Sequence, residues 1–176
     1  DFIKKKRVEK MSFKLTYSTM FDPPPEMHEH FDTALAEMRS RLGQDYAHFI
    51  DGTDVVAGDL FDDLSPINTE SVLARFPAAT ADDVKAAVLA AERAFPAWRD
   101  TPAEERNRLL RRAGELIEER VYDISAALAL EVGKNRMEAI GEVQETAEFF
   151  YQYCDVFEAE QGFSQQLPDD PVPGVL

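Results

Sequence analysis

Apolar positions recur along the chain with two different periods. Through residues 26–42, Phe31, Leu35, Met38 and Leu42 fall at helical spacing, and Gly43 supplies a stop. Just before them, Pro23-Pro24-Pro25 forms a stiff segment that resists helix. Between residues 46 and 76 the period shortens. Tyr46-Ala47-His48-Phe49-Ile50, Asp54-Val55-Val56 and Ser71-Val72-Leu73-Ala74-Arg75-Phe76 predict short strands, with turns at Asp51-Gly52 and Pro66-Ile67-Asn68.

From residue 80 the helical period returns. Thr80 followed by Asp83 predicts an N-terminal cap, and Val84, Ala87, Val88, Ala91 and Phe95 make one apolar stripe that Pro96 should end. Thr101-Pro102-Ala103-Glu104 predicts a second start, with a capping Thr and Pro at the first helical position. Its stripe is Leu109, Leu110, Ala113, Leu116 and Ile117. A further helix carries Ile124, Leu128 and Leu130 to a stop at Gly133. The last helix spans about residues 135–160, with Ile140, Val143, Ala147, Phe150, Tyr151 and Cys154 on its apolar side. Pro168, Pro171, Pro173 and Gly174 make residues 167–176 an extended linker.

Residues 1–16 read as a basic extension, expected to be disordered or an upstream remnant, with Met11 a possible start that would leave residues 1–10 ahead of it. Residues 17–166 then form one helical-plus-hairpin region. The 176 residues are 44% hydrophobic and 30% charged, enough for a packed core. Net charge is −15, and without residues 1–10 the balance is 32 acids against 14 bases. Such a field repels nucleic acid and anionic membranes. The excess of acid over lysine fits a protein kept soluble at high salt, and equally an ordinary acidic cytoplasmic protein. The single cysteine, Cys154, cannot close an internal disulfide, which fits a reducing, cytoplasmic compartment.

Chemistry is sparse. His28 and His30 are two apart on a helix and share no face, so they read as solvated surface rather than as a metal pair. Cys154 has acids beside it (Glu148, Asp155 and Glu158), which oppose a thiolate, and reads as a small buried hydrophobe. No glycine-rich phosphate loop, HExxH, CxxC or GxSxG pattern is present. Residue by residue, the chain is an acidic hairpin-plus-helix protein without a complete active site.

The order of its segments resembles the aldehyde dehydrogenase superfamily. The resemblance rests on Phe49-Ile50-Asp51-Gly52, Ser65-Pro66-Ile67-Asn68, Phe95-Pro96-Ala97-Trp98, Pro102-Ala103-Glu104-Glu105-Arg106, Leu116-Ile117-Glu118-Glu119-Arg120 and Glu131-Val132-Gly133-Lys134, in that order. A run of Glu131-Val132-Gly133-Lys134-Asn135, Glu138-Ala139, Glu142-Val143-Gln144-Glu145, Phe149, Tyr151 and Tyr153 is similar to the branch of 1-pyrroline-5-carboxylate dehydrogenases. These enzymes oxidise glutamate γ-semialdehyde to glutamate in proline breakdown.

The resemblance implies an α/β fold of which this chain is the N-terminal part, mostly helical with a short hairpin region and without the nucleotide-binding sheet. It implies a cysteine nucleophile, a glutamate base, oxyanion donors and NAD, all held by residues beyond this chain. The chain alone should then be inactive. The full-length parent would take a small-molecule aldehyde and form a homo-oligomer. Within the chain the resemblance carries over only Glu145 and Phe149, as walls of the substrate tunnel. The plain alternative for Glu145 is a solvated helix acid. Two other functions stay open. One is a dehydrogenase for another small aldehyde, such as succinate semialdehyde. The other is a natural short protein that uses this fold piece as an interaction module.

Overall fold

The computed structural model describes residues 21–56 and 58–164. The basic extension, the C-terminal linker and part of the boundary regions of the 17–166 unit lie outside the described residues. Among the described residues there are five α-helices: α1 (Pro25–Arg39), α2 (Ala81–Asp100), α3 (Ala103–Glu119), α4 (Val121–Val132) and α5 (Arg136–Ala159). Between α1 and α2 lie β1 (Gln44–Asp45), β2 (His48–Ile50), β3 (Thr53–Val55), β4 (Leu60–Leu64) and β5 (Val72–Pro77). A short 3₁₀ turn, Gln161–Phe163, follows α5.

The proline run starts α1 rather than excluding it. Pro24 is extended at φ −64°, ψ 145°, and Pro25 is the first helical residue, where its missing N–H costs nothing. Met27, Phe31 and Ala34 bury one side of α1. Met27 and Phe31 meet Val121 and Ala129 of α4 and Ala139, Ile140 and Val143 of α5 in the main core. This core is built from three helices of small and medium side chains.

The strands form two separate sheets. β2 and β3 make the expected hairpin, with Phe49 opposite Asp54. Its turn residues Asp51 and Gly52 both have positive φ, 54° and 77°, as a type I′ turn requires. The other sheet has the order β1-β5-β4, with β1 parallel and β4 antiparallel to β5. The pattern did not foresee β4, nor the break that separates β1 from β2.

α2 begins as predicted. Thr80 Oγ1 accepts from the Asp83 N–H at 3.2 Å, and Asp83 Oδ2 accepts from the Thr80 N–H at 2.8 Å. Its end differs from the expectation. α2 runs through Pro96 to Asp100. The ring removes one hydrogen bond near an exposed terminus, and the last carbonyls find other donors. The Thr101 hydroxyl donates to the Ala97 carbonyl at 2.8 Å, and the Arg106 guanidinium donates to the Arg99 carbonyl at 3.3 Å. Thr101 therefore caps the end of α2, not the start of α3 as its sequence suggested.

α3 also turns differently from its apolar stripe. Its buried residues are Asn107 and Gly114, while Leu109, Leu110 and Leu116 are exposed. The small side chains face α5. Asn107 donates to Glu158 at 2.9 Å, and Arg111 bridges Asp155 and Glu158 at 2.7 and 2.9 Å. α2 has no buried residue at all, so its predicted stripe is a surface among the described residues. No helix among them is long and apolar enough to cross a membrane.

Candidate functional site

α5 is the element on which the two carried-over residues stand. Its start is fixed by Asn135, whose Oδ1 accepts from the N–H groups of Met137 and Glu138, both at 3.0 Å. One side of the helix, with Ala139, Ile140, Val143, Ala147 and Cys154, is buried. At 3.6 residues per turn the opposite side presents Glu138, Glu142, Glu145, Phe149 and Tyr153 as a single row. The structure thus brings Glu145 and Phe149 together on one open face. Phe149 stacks on Tyr153, with ring centroids 5.6 Å apart at 19°. Tyr153, which the sequence reading placed in the family-like run but not among the tunnel walls, is 67% exposed and extends the row by one turn.

The head of this row is tied to the α4–α5 corner. Gly133 ends α4 in the left-handed conformation at φ 75°, which only glycine adopts without strain. A Cβ placed there would lie 3.5 Å from Pro66 and 3.6 Å from Ile67. The turn that carries those residues is held by the buried Ser65, whose Oγ accepts from the Ile67 N–H at 3.2 Å. The next residue after the glycine, Lys134, reaches along α5 and pairs with Glu142. The Pro66-Ile67 turn and the Gly133-Lys134 corner, distant in sequence, therefore meet at the end of the acidic row.

His28 corrects the surface reading of the histidine pair. Its Nδ1 lies 2.8 Å from Nη1 of Arg136, whose guanidinium also pairs with Asp32 and stacks 4.8 Å over the Phe31 ring. The residue is a half-buried part of the α1–α5 junction. His30 is exposed beside Tyr122, its ring 5.2 Å away.

Cys154 lies on the opposite side of α5 from Glu145. Its Sγ donates to the Asn107 carbonyl at 3.7 Å. Burial pushes the thiol above its ordinary pKa, Glu158 and Asp155 push the same way, and only Arg111 opposes them. A thiol held protonated under α3 is no nucleophile. Tyr151 is similarly raised, to about 12, by burial and by Glu118, which accepts its hydroxyl at 3.2 Å.

The helix starts among the described residues are acidic. Each α-helix carries an acid in its first turn: Glu26, Asp82, Glu104, Asp123 and Glu138 respectively. Those carboxylates oppose a pyrophosphate at the one place where a helix would attract it. Nor do three His, Cys, Asp or Glu side chains converge as a metal site among the described residues.

Residues 54–173 match the profile of the Aldehyde dehydrogenase family. The chain belongs to this family. It is 34% identical over 126 residues, 72% of its length, to a 1-pyrroline-5-carboxylate dehydrogenase of Staphylococcus haemolyticus. It is 38% identical over 96 residues, 54% of its length, to an alpha-ketoglutarate semialdehyde dehydrogenase of Haloferax volcanii. Its backbone is similar to that of a Thermus 1-pyrroline-5-carboxylate dehydrogenase with bound NAD, at TM-score 0.77 and 30% identity over 87% of this chain. The chain spans 24%, 20% and 29% of those three proteins. As an aldehyde dehydrogenase chain it has the expected fold, a mostly helical part with small sheets.

Proposed function

We propose that this chain acts as the N-terminal part of an NAD-dependent aldehyde dehydrogenase that oxidises L-glutamate γ-semialdehyde to glutamate. The observation that carries this reading is the double likeness to 1-pyrroline-5-carboxylate dehydrogenases. Both the sequence, at 34% identity, and the backbone, at TM-score 0.77, agree over most of the chain. NAD, the nucleophilic cysteine and the general base belong to residues outside this segment, so the segment by itself is inactive.

In this reading the open row of α5 forms one wall of the aldehyde site. Phe149 and Tyr153 exclude water with a stacked aromatic surface, and Glu145 sets a negative field at the wall. The full-length enzyme would be a homo-oligomer, and the acidic surface makes nucleic acid an unsuitable partner.

A second substrate is favoured by one observation, the 38% identity to an alpha-ketoglutarate semialdehyde dehydrogenase. The two readings separate in one experiment. The complete reading frame is expressed, and NAD reduction is followed with glutamate γ-semialdehyde, succinate semialdehyde and α-ketoglutarate semialdehyde. The highest kcat/KM is expected with glutamate γ-semialdehyde. A preference for α-ketoglutarate semialdehyde would replace the first reading by the second. No turnover of any aldehyde would overturn both.

A further inference from the structure

The Glu131-Val132-Gly133-Lys134-Asn135 motif has no place in the function so far. We propose that Lys134 is a positioning residue that sets the charge and placement of the aldehyde-facing row of α5. The proposal rests on the reading of that row as a substrate wall.

Three carboxylates share the row, those of Glu138, Glu142 and Glu145. They are spaced four and three residues apart, close enough to repel one another. The Lys134 ammonium pairs with the middle one. Its side chain is 28% exposed, so the pair is screened less than a fully solvated one. Gly133 and Asn135 fix where the lysine starts. The glycine turns the chain in the left-handed conformation against Pro66 and Ile67, and the asparagine caps the helix one residue later. The backbone of Lys134 is thereby anchored on both sides, and its ammonium reaches Glu142 from the head of the row. Glu142 also accepts the Thr146 hydroxyl at its carbonyl, 2.8 Å away, one turn before Phe149.

Removing the ammonium leaves Glu142 uncompensated. The row then faces the substrate with one more negative charge. An aldehyde that carries a carboxylate is repelled, while a neutral aldehyde of the same length is not.

The test uses the full-length enzyme with two four-carbon probes, anionic succinate semialdehyde and neutral butyraldehyde. Lys134→Met should raise KM for the anion relative to the neutral aldehyde by roughly three- to tenfold, with kcat changed less. Lys134→Arg should restore the wild-type ratio. Lys134→Met combined with Glu142→Gln should restore it as well, because no bare carboxylate remains. A purely structural lysine would shift both aldehydes together, and the double variant would not recover. Equal shifts, no shift, or failure of the double variant to recover would each overturn the proposal while leaving the dehydrogenase reading intact. An enzyme that oxidises neither probe nor glutamate γ-semialdehyde would remove both.

Discussion

Gly114 of α3 lies directly beneath the ring of Tyr151 on α5, so that a Cβ on Gly114 would sit 2.9 Å from Cε1 and 3.0 Å from Cζ of that ring. The contact explains why α3 presents its small residues inward. Helix axes approach this closely only where one side chain is absent, and the Tyr151 hydroxyl then reaches Glu118 on α3. Gly114→Ala would gain about 0.5–1 kcal/mol of helix propensity. It would lose about 1–3 kcal/mol by overpacking against a ring that is held by its own hydrogen bond. The variant should be less stable by ~1–2 kcal/mol in urea unfolding. Unchanged or increased stability would show that α3 and α5 are farther apart than this contact requires.

The start of α2 gives a pH prediction. The Asp83 carboxyl is held below its ordinary value of 3.8, first by its side-chain hydrogen bond with Thr80 and then by the Thr80 backbone N–H. A depressed carboxyl contributes stability that is present above about pH 4 and is lost as pH falls through the lower folded value. Asp83→Asn should therefore lower the stability of the helix end at pH 6. The difference from the parent should shrink as pH falls below about 4. Amide exchange at Val84 and Lys85 reads this region directly. A difference that persists unchanged at pH 2 would rule out the carboxylate as its source.

Legibility in the sequence followed a physical divide. Features that depend on a residue's own backbone preference were readable. The Asp51-Gly52 turn, the Thr80–Asp83 cap, the Gly133 stop and the start of the last helix all stand where their chemistry demands. Features that depend on a neighbour were not. Leu109, Leu110 and Leu116 form the larger apolar stripe, yet Asn107 and Gly114 are buried, because α5 sets Phe150 and Tyr151 against the glycine and Glu158 and Cys154 against the asparagine. β4 was hidden by Asp62 and Asp63, which interrupt alternation in a strand at the sheet edge. The candidate row on α5 came from family resemblance, since nothing in the spacing of Glu145 and Phe149 by itself separates a substrate wall from a solvated helix face. Tyr153 was readable at the same spacing and was missed. The role of Lys134 needed the fold, because Glu142 is eight residues away and two turns into the next helix.

The exposed faces make a prediction about the 176-residue chain on its own. Val84, Val88, Phe95 and Trp98 of α2 are each 45–57% exposed, and Leu109, Leu110 and Leu116 of α3 add a second apolar surface. Apolar area of this extent drives association, while the net charge of −15 opposes it. The chain should bind a hydrophobic dye. Added salt should increase its compactness and self-association by screening the charge. Light scattering and dye fluorescence across a salt series check both. A monomer that binds no dye and ignores salt would mean that α2 and α3 are covered in ways this fold does not show.

The decisive residue for the proposed substrate wall is Glu145, and its test needs a control that leaves the charge pairing of the row intact. Glu142→Ala, three residues back on the same helix, is the comparison nearest to hand. The structure disqualifies it, because Glu142 pairs with Lys134, and its loss frees a cation beside the row. Glu37 is the better control, an exposed acid that stands on α1 and not in the α5 row. In the full-length enzyme, Glu145→Ala should change the aldehyde-dependent rate by roughly 5- to 150-fold, the range for a charge at a wall from which water is excluded. The sign depends on which end of the substrate meets the wall. A carboxylate there is relieved by the substitution, and an ammonium there loses a partner. Glu145→Gln keeps the size and removes the charge, so a field effect should appear in both variants, whereas a packing effect should appear only in the alanine. NAD affinity should be unchanged in both, because no helix start among the described residues suits a pyrophosphate. If Glu145→Ala and Glu37→Ala both stay within about twofold of the parent, Glu145 is a solvent acid in the assembled enzyme too. The open face of α5 would then need another purpose, and the stacked pair Phe149 and Tyr153 would be the place to look for it.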